Sequence, residues 1–197
     1  MLSEIYEELD TDNLIPVSKE EGEFITEFLK EKNIKKTLEV GFAYGGSAAA
    51  IVSATHSRHF AIDPHQTRDF QNAGVKNMER LGFGHLLDLR EECSDIALPK
   101  LFMEGVKLEF AFIDGLHLFD SIFIDFYYID LMLEENGYVF FHDLWMPSTK
   151  AVISWIATNK KNYEIIDVSM GELIAVKKLR NEERHWDHFA PFYAGVE

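Results

Sequence analysis

The segment LEVGFAYGGS places Glu39 ahead of Gly41, Gly45, Gly46 and Ser47. Glycines permit positive φ and let a ligand lie against the main chain, and a helix that follows begins with unpaired N–H groups. Asp63 stands 22 residues beyond Gly41, close to the ~20 at which an acid accepts hydrogen bonds from ribose hydroxyls. Together they suit an adenosine-type ligand. Ala43 occupies the place of the second glycine in the dinucleotide fingerprint and crowds a pyrophosphate, which disfavours a nicotinamide cofactor.

Two more acids, Asp114 and Asp143, each follow an apolar run of strand character. Their carboxylates should therefore project from neighbouring strand ends. Such a pair suits Mg²⁺ or Ca²⁺, and a cation there would lower the pKa of a bound hydroxyl and orient it. His142 offers an imidazole, which suits Mn²⁺, Fe²⁺ or Zn²⁺ better than Mg²⁺. His117, three residues past Asp114, titrates near neutrality and suits a general base. Quieter roles remain open for the same residues. Asp114 and Asp143 also fit as helix caps, His117 and His142 as partners of backbone carbonyls, and Trp145 as either a pocket wall or a core plug. His65 reads as an exposed loop residue, and Asp125, Tyr127, Tyr128 and Asp130 as packing or solvent-facing residues of a long helix.

These side chains need a frame. Ser18 and Glu21 form a capping box ahead of Phe24, Ile25, Phe28 and Leu29 at helical spacing, predicting a helix over 19–31. Short apolar runs at 37–40, 59–62, 86–89, 108–113 and 138–141 read as strands covered on both faces. Between them the pattern predicts helices over 47–55, 69–81, within 95–103, over 119–133 and, after Pro147, over 148–158. Segments 163–168 and 173–176 read as a closing strand pair around Met170 and Gly171. Alternating strands and helices imply a mostly parallel sheet with right-handed crossovers, and ligands at the carboxyl ends of its strands.

The chain has 197 residues, 47% of them hydrophobic, which suits one domain with a single buried core. Its formal net charge of −15 repels phosphate backbones and anionic lipid surfaces, and the densest basic cluster, Lys30 to Lys36, is interrupted by Glu31. Nucleic acid and membrane partners are not expected. The single cysteine, Cys93, cannot form an internal disulfide, and MLSEIYEELD is acidic where a signal peptide is basic. The expected location is the cytoplasm.

The pattern LEVGFAYGGS, then AIDP, then FAFIDGLHLFDSIFIDFYYIDLMLEENGYVFFHDLW resembles the class I S-adenosylmethionine-dependent methyltransferases. It is most similar to a small branch with I-D-G-x-H and H-D segments, related to metal-dependent O-methyltransferases. The resemblance spans residues 18–177. It implies an α/β, Rossmann-like three-layer sandwich whose seven-stranded sheet is mostly parallel with the last strand antiparallel. It assigns cofactor contacts to Glu39, Gly41, Phe42, Tyr44, Gly45, Ser47, Asp63, Ser94 and Asp114. Adenine would meet the loop containing Glu92, Cys93 and Ser94. It further implies catalytic roles for Asp114 and His117, and Mg²⁺ or Mn²⁺ held by Asp114, Asp143 and His142. Leu144 departs from the related enzymes, which carry an amide there, and His117 takes the place of their lysine.

The expected function is methylation of a small-molecule acceptor at a hydroxyl oxygen, with S-adenosylmethionine as cofactor and a divalent metal assisting. The alternatives are a metal-dependent oxygenase or hydrolase on the same sheet, or a noncatalytic nucleoside-binding module. Residues 1–17 read as an extension. The tail over 179–197, with His185, Trp186, His188, Phe189 and Phe192, reads as an aromatic appendage that packs on its own domain, caps the site or meets a second copy in a homodimer.

Overall fold

A computed structural model describes residues 17–182 and 184–192. The predicted N-terminal extension lies outside the described residues except for Val17, as do residues 183 and 193–197 of the tail. The chain enters through α1 (Lys19–Glu31), where the Ser18 hydroxyl accepts from Glu21 N–H and the Glu21 carboxylate reaches back to Ser18. Then follow β1 (Thr37–Val40), α2 (Gly46–Thr55), β2 (His59–Ile62), α3 (Ala73–Arg80), β3 (Leu87–Arg90), α4 (Ser94–Met103) and β4 (Leu108–Ile113). The chain continues through α5 (Phe119–Met132), β5 (Leu133–Phe141), α6 (Pro147–Asn159), β6 (Tyr163–Ile166) and β7 (Ile174–Lys178).

Seven strands lie in the order β3-β2-β1-β4-β5-β7-β6. The pairings of β1 with β2 and β4, of β2 with β3 and of β4 with β5 are parallel, whereas β7 is antiparallel to both β5 and β6. The sheet is the Rossmann-like one expected. Period-2 alternation divides its faces. Leu38, Val40, Ala111 and Ile113 enter one cluster with Leu98, Phe126 and Ile156 from α4, α5 and α6, while Phe110, Phe112 and Phe140 meet Ile25, Leu29 and Ile51 from α1 and α2. Helices on both faces leave the strand ends as the place for a ligand. No helix among the described residues is long and apolar enough to cross a membrane.

Two elements differ from the sequence reading. The helix predicted over 69–81 begins only at Ala73, because Gln71 and Asn72 both take positive φ, which a continuous helix does not admit. Strand β5 starts directly at Leu133, before the Asn136–Gly137 turn that was to separate it from α5. Its pairing with β4 is irregular at that point, passing from Leu108↔Leu133 to Phe110↔Tyr138. The tail docks through Asn159, which exchanges hydrogen bonds with the backbone of Ala190, and through Phe192 against Phe119. Trp186 and Phe189 remain exposed.

Candidate active site

The β1–α2 turn is held from below. Gly41 has φ +93°, and a Cβ there would collide with the Asp114 carbonyl oxygen, so only glycine lets β1 and β4 close this tightly. Ala43 also sits at positive φ, a conformation that costs an L-residue about 1–2 kcal/mol. Asp63 offsets that cost. Its Oδ2 accepts from Ala43 N–H at 2.7 Å, Phe42 N–H at 3.3 Å and Gln66 Nε2 at 3.1 Å, and its Oδ1 accepts from His65 N–H at 2.7 Å. The acid expected to meet ribose thus first shapes the glycine turn. A carboxylate offers about four lone-pair sites, so Oδ1 keeps capacity for one further donor.

Two cavities meet at this turn. The larger, about 500 Å³, runs past Ile62, Asp63, Phe70, Ser94 and Ile124. The smaller, about 270 Å³, is lined by Tyr44, Ser47, His117, His142 and Asp143. Gly41, Phe42, Ala43 and Asp114 border both. Glu39 borders neither: it is fully buried, accepts from Ser47 Oγ at 2.6 Å, and lies 3.4 Å from His59 Nε2. Gly45, with φ +79°, starts α2 beneath the same turn.

The smaller cavity contains a cluster of alternating charge. His117 Nε2 is 2.6 Å from Asp143 Oδ2 and 3.6 Å from Asp114 Oδ1, and His142 Nδ1 is 3.4 Å from Asp114 Oδ1. On its other side His142 Nε2 lies 3.5 Å from the Glu21 carboxylate. Burial opposes ionisation of Asp114, but contacts with His117 and His142 outweigh it and hold the carboxyl below its ordinary range. Hydrogen bonding to Asp114 raises His117. His142 is pushed up to about 10, since Asp114 and Glu21 more than offset its burial. Glu21 falls to about 2, because His142, the Glu172 N–H and Ser18 overcome its own burial.

The cluster fits a divalent cation in one specific way. Asp114, His117 and Asp143 each offer a ligand atom, and all three atoms lie within 4.8 Å of one another. His117 Nε2 touches Asp143 out of line for a hydrogen bond, leaving it a buried polar atom without a regular partner. Two electronegative atoms converging without a well-aligned proton suit a shared cation. The sequence reading put His142 in this set. His142 borders the cavity, but its second nitrogen faces Glu21.

Residues 38–144 match the sequence profile of a family described as a methyltransferase domain. The chain belongs to that family. Over 108 residues this methyltransferase domain is 31% identical to a caffeoyl-CoA O-methyltransferase of Petroselinum crispum, covering 52% of this chain and 44% of that protein. Over 143 residues it is 27% identical to a flavonoid 3',5'-methyltransferase of Vitis vinifera, covering 69% of this chain and 59% of that protein. It therefore spans less than two thirds of the length of either relative.

Solved structures share its fold. An O-methyltransferase of Streptomyces achromogenes involved in tomaymycin synthesis, in complex with S-adenosylmethionine, superposes with a TM-score of 0.74 at 16% identity, covering 91% of this chain and 89% of that one. A methyltransferase of Podospora anserina bound to S-adenosylhomocysteine gives 0.76 at 14% identity, covering 91% and 88%.

Sequence reasoning missed three contributors to the methyltransferase domain's site. Glu21 was read only as a helix-capping residue, and it lies 121 residues from His142. Gln66 joins Asp63 to the Ala43 carbonyl, and Phe70 packs edge-on against Tyr44. Only Glu21 left a signal, as the acid of its capping box.

Proposed function

We propose that this methyltransferase domain carries the methyl group of S-adenosylmethionine to a hydroxyl oxygen of a small-molecule acceptor. The observation that carries the reading is the junction of the two cavities at Gly41 and Asp114. The larger offers Asp63 and Ser94 to a nucleoside, and the smaller brings His117 and two carboxylates to the opposite side. A methyl group at the junction would face an acceptor in the smaller cavity. Methyl transfer is an in-line displacement: the acceptor oxygen forms the new C–O bond as the C–S bond breaks, and the sulfur keeps the electron pair. Alignment is the main task. The names of the relatives, acting on caffeoyl-CoA and a flavonoid, support a hydroxyl acceptor.

The acceptor proton goes to His117 in this reading. Asp114 and Asp143 hold its Nε2 side, which leaves Nδ1 as the nitrogen that takes the proton. A second use of the same ring rests on the convergence described above. Asp114 Oδ1, His117 Nε2 and Asp143 Oδ2 would hold a divalent cation, with the mixed donor set suiting Mn²⁺ over Mg²⁺. Such a cation supplies Lewis acidity that lowers the hydroxyl pKa. Chelation separates the two uses: activity lost with EDTA and restored by Mn²⁺ assigns Nε2 as a ligand, and activity indifferent to EDTA assigns His117 as the base.

The oxygenase or hydrolase alternative is not favoured, because the family is one of methyltransferase domains. The lone Cys93 supports a reducing compartment such as the cytoplasm. The test is calorimetric titration with S-adenosylhomocysteine. Binding is expected, and Asp63→Asn, which alters the acid offered to the nucleoside on the wall of the larger cavity, should weaken it by at least about tenfold. Absence of heat with the unmodified protein overturns the cofactor assignment, and a panel of labelled-methyl transfers that yields no product overturns the activity.

A further inference from the structure

Lys76 and Arg80 stand one helical turn apart on α3, hence on one side of it, and both line a third cavity of about 320 Å³. That cavity shares Tyr44 with the smaller cavity and Phe70 with the larger. It therefore adjoins the proposed site. The helix is docked tightly on the glycine turn: a Cβ at Gly74 would strike the Ala43 carbonyl oxygen and the Phe42 ring, so only glycine lets helix and turn approach this closely. Asn77, 2% exposed, donates from Nδ2 to the Tyr44 carbonyl at 2.9 Å, and its Oδ1 accepts from Arg80 at 3.0 Å. At the head of the helix, where Gln71 and Asn72 take positive φ, the Gln71 carbonyl accepts from Lys76 Nζ at 2.9 Å. Both cations are thus held in place.

Their charges are unanswered. Each makes one hydrogen bond to a neutral oxygen, and neither meets a carboxylate among the described residues. Arg58, Arg68 and Arg90, by contrast, all carry carboxylate partners. The acid on the cavity wall, Asp69, accepts from Arg68 Nε at 2.8 Å and from a terminal guanidinium nitrogen at 2.7 Å, so its charge is already answered by a residue that does not line the cavity. In a chain of net charge −15 the overall field draws no anion in, and two open cations at one place select a ligand by contact. An ammonium and a guanidinium with donors to spare match a carboxylate or a phosphate.

We propose that this third cavity is an acceptor subsite for an anionic group, a carboxylate or a phosphate, which Lys76 and Arg80 hold while the acceptor hydroxyl lies past Tyr44 in the smaller cavity. The acceptor class is then a hydroxylated acid or phosphate ester, with Tyr44 between its charge and its nucleophile. Tyr44 packs edge-on against Phe70, ring centroids 5.2 Å apart, and this pair supplies apolar surface to the part of the acceptor that joins the two ends.

The inference rests on the hydroxyl-acceptor reading above, and a free anion is the other source of the same chemistry, so the test separates them. Calorimetry in metal-free buffer compares the unmodified chain with the double variant Lys76→Gln, Arg80→Gln, in which both altered side chains are exposed and the fold is spared. Inorganic phosphate, titrated with and without S-adenosylhomocysteine, should bind saturably to the unmodified chain and about tenfold or more weakly to the variant. No saturable binding, or equal binding by both, overturns the subsite. Titrated into the S-adenosylhomocysteine complex, 3,4-dihydroxycinnamate should bind about tenfold or more tightly than its methyl ester, and the variant should lose that preference. Equal affinity for acid and ester, or no binding of either, while phosphate still binds, assigns the cations to a free anion and overturns the acceptor role. Affinity for S-adenosylhomocysteine should be the same in both proteins, and its loss in the variant assigns the cations to the cofactor and overturns the proposal. Should the unmodified chain bind no S-adenosylhomocysteine, the cofactor assignment fails by itself, and phosphate binding to the free chain still decides the anion site.

Discussion

At the amino ends of the strands, Asp130 gathers Lys160 Nζ at 2.6 Å, Tyr163 Oη at 2.7 Å and Lys178 Nζ at 3.3 Å. Lys178 adds hydrogen bonds to the carbonyls of Asp130 and Leu133, and none of these four side chains leaves a buried polar atom unpaired. At the carboxyl ends, an equally dense cluster of Glu21, Asp114, His117, His142 and Asp143 leaves His117 Nε2 and His142 Nδ1 without regular partners. The first cluster is a closed circuit and serves stability. The second is open toward a cavity, and its unmet bonding capacity is what a ligand would use.

Removing one acid from each end should give opposite phenotypes. Asp114→Asn takes a carboxylate from both cavities and from two imidazoles. Turnover of an accepted substrate, followed by labelled-methyl transfer, should fall by about 10²–10⁴. Folding should suffer less, since Glu21 and Asp143 remain beside the histidines. Asp130→Ala should do the reverse. It strands Lys160 and Lys178, each nearly buried, and should cost about 3–5 kcal/mol in urea unfolding, with cofactor affinity of the folded fraction unchanged. A large binding defect in Asp130→Ala would erase the distinction between the two ends.

Gly171 provides an intermediate case. It takes φ +51°, and a Cβ there would strike Glu21 Oε1, the atom that accepts from Glu172 N–H. Gly171→Ala should therefore both strain the β6–β7 connection and push Glu21 away from His142. The expected loss is about 1–3 kcal/mol in unfolding free energy, accompanied by a smaller loss of turnover than Asp114→Asn gives. An unchanged turnover would mean that the Glu21–His142 contact belongs to the fold alone.

How much of this contrast could be read from the sequence follows from the range of the interactions. Strands β1, β2 and β4 and helix α1 emerged with their observed bounds, because each is marked locally, by apolar runs or by the Ser18–Glu21 box. The glycine turn, Asp63, Asp114 and Asp143 were legible as residues that end strands. The partners of those residues were not. Glu21 reaches His142 only because α1 packs across the sheet, and Lys160 finds Asp130 only after α5 and α6 have met. The late start of α3 had a subtler cause: Gln71 and Asn72 adopt left-handed backbone in a stretch whose composition still reads as helical. Asp125 looked like one more polar residue on a long helix, since nothing in its neighbours announces that α4 will cover it.

Asp125 places a third condition between the two ends: buried like Asp130, unpaired like the histidines, and titrating near 7 in place of its ordinary value of 3.8. Between those values the folded chain holds a proton on this carboxyl that the unfolded chain has released. Folding stability contributed by this group therefore falls as pH rises from 3.8 toward 7, and levels off above 7. Asn at this position does not titrate. The difference in unfolding temperature between Asp125→Asn and the unmodified chain should widen across that window and then stay constant. The full cost of burying the charge is partly offset by the unsatisfied amide that replaces it, so the net gain above neutrality should be about 1 kcal/mol, or about 2–4 °C. A difference that stays flat from pH 4 to pH 8 would put Asp125 in contact with water or a cation in the folded state and return it to the class of Asp130.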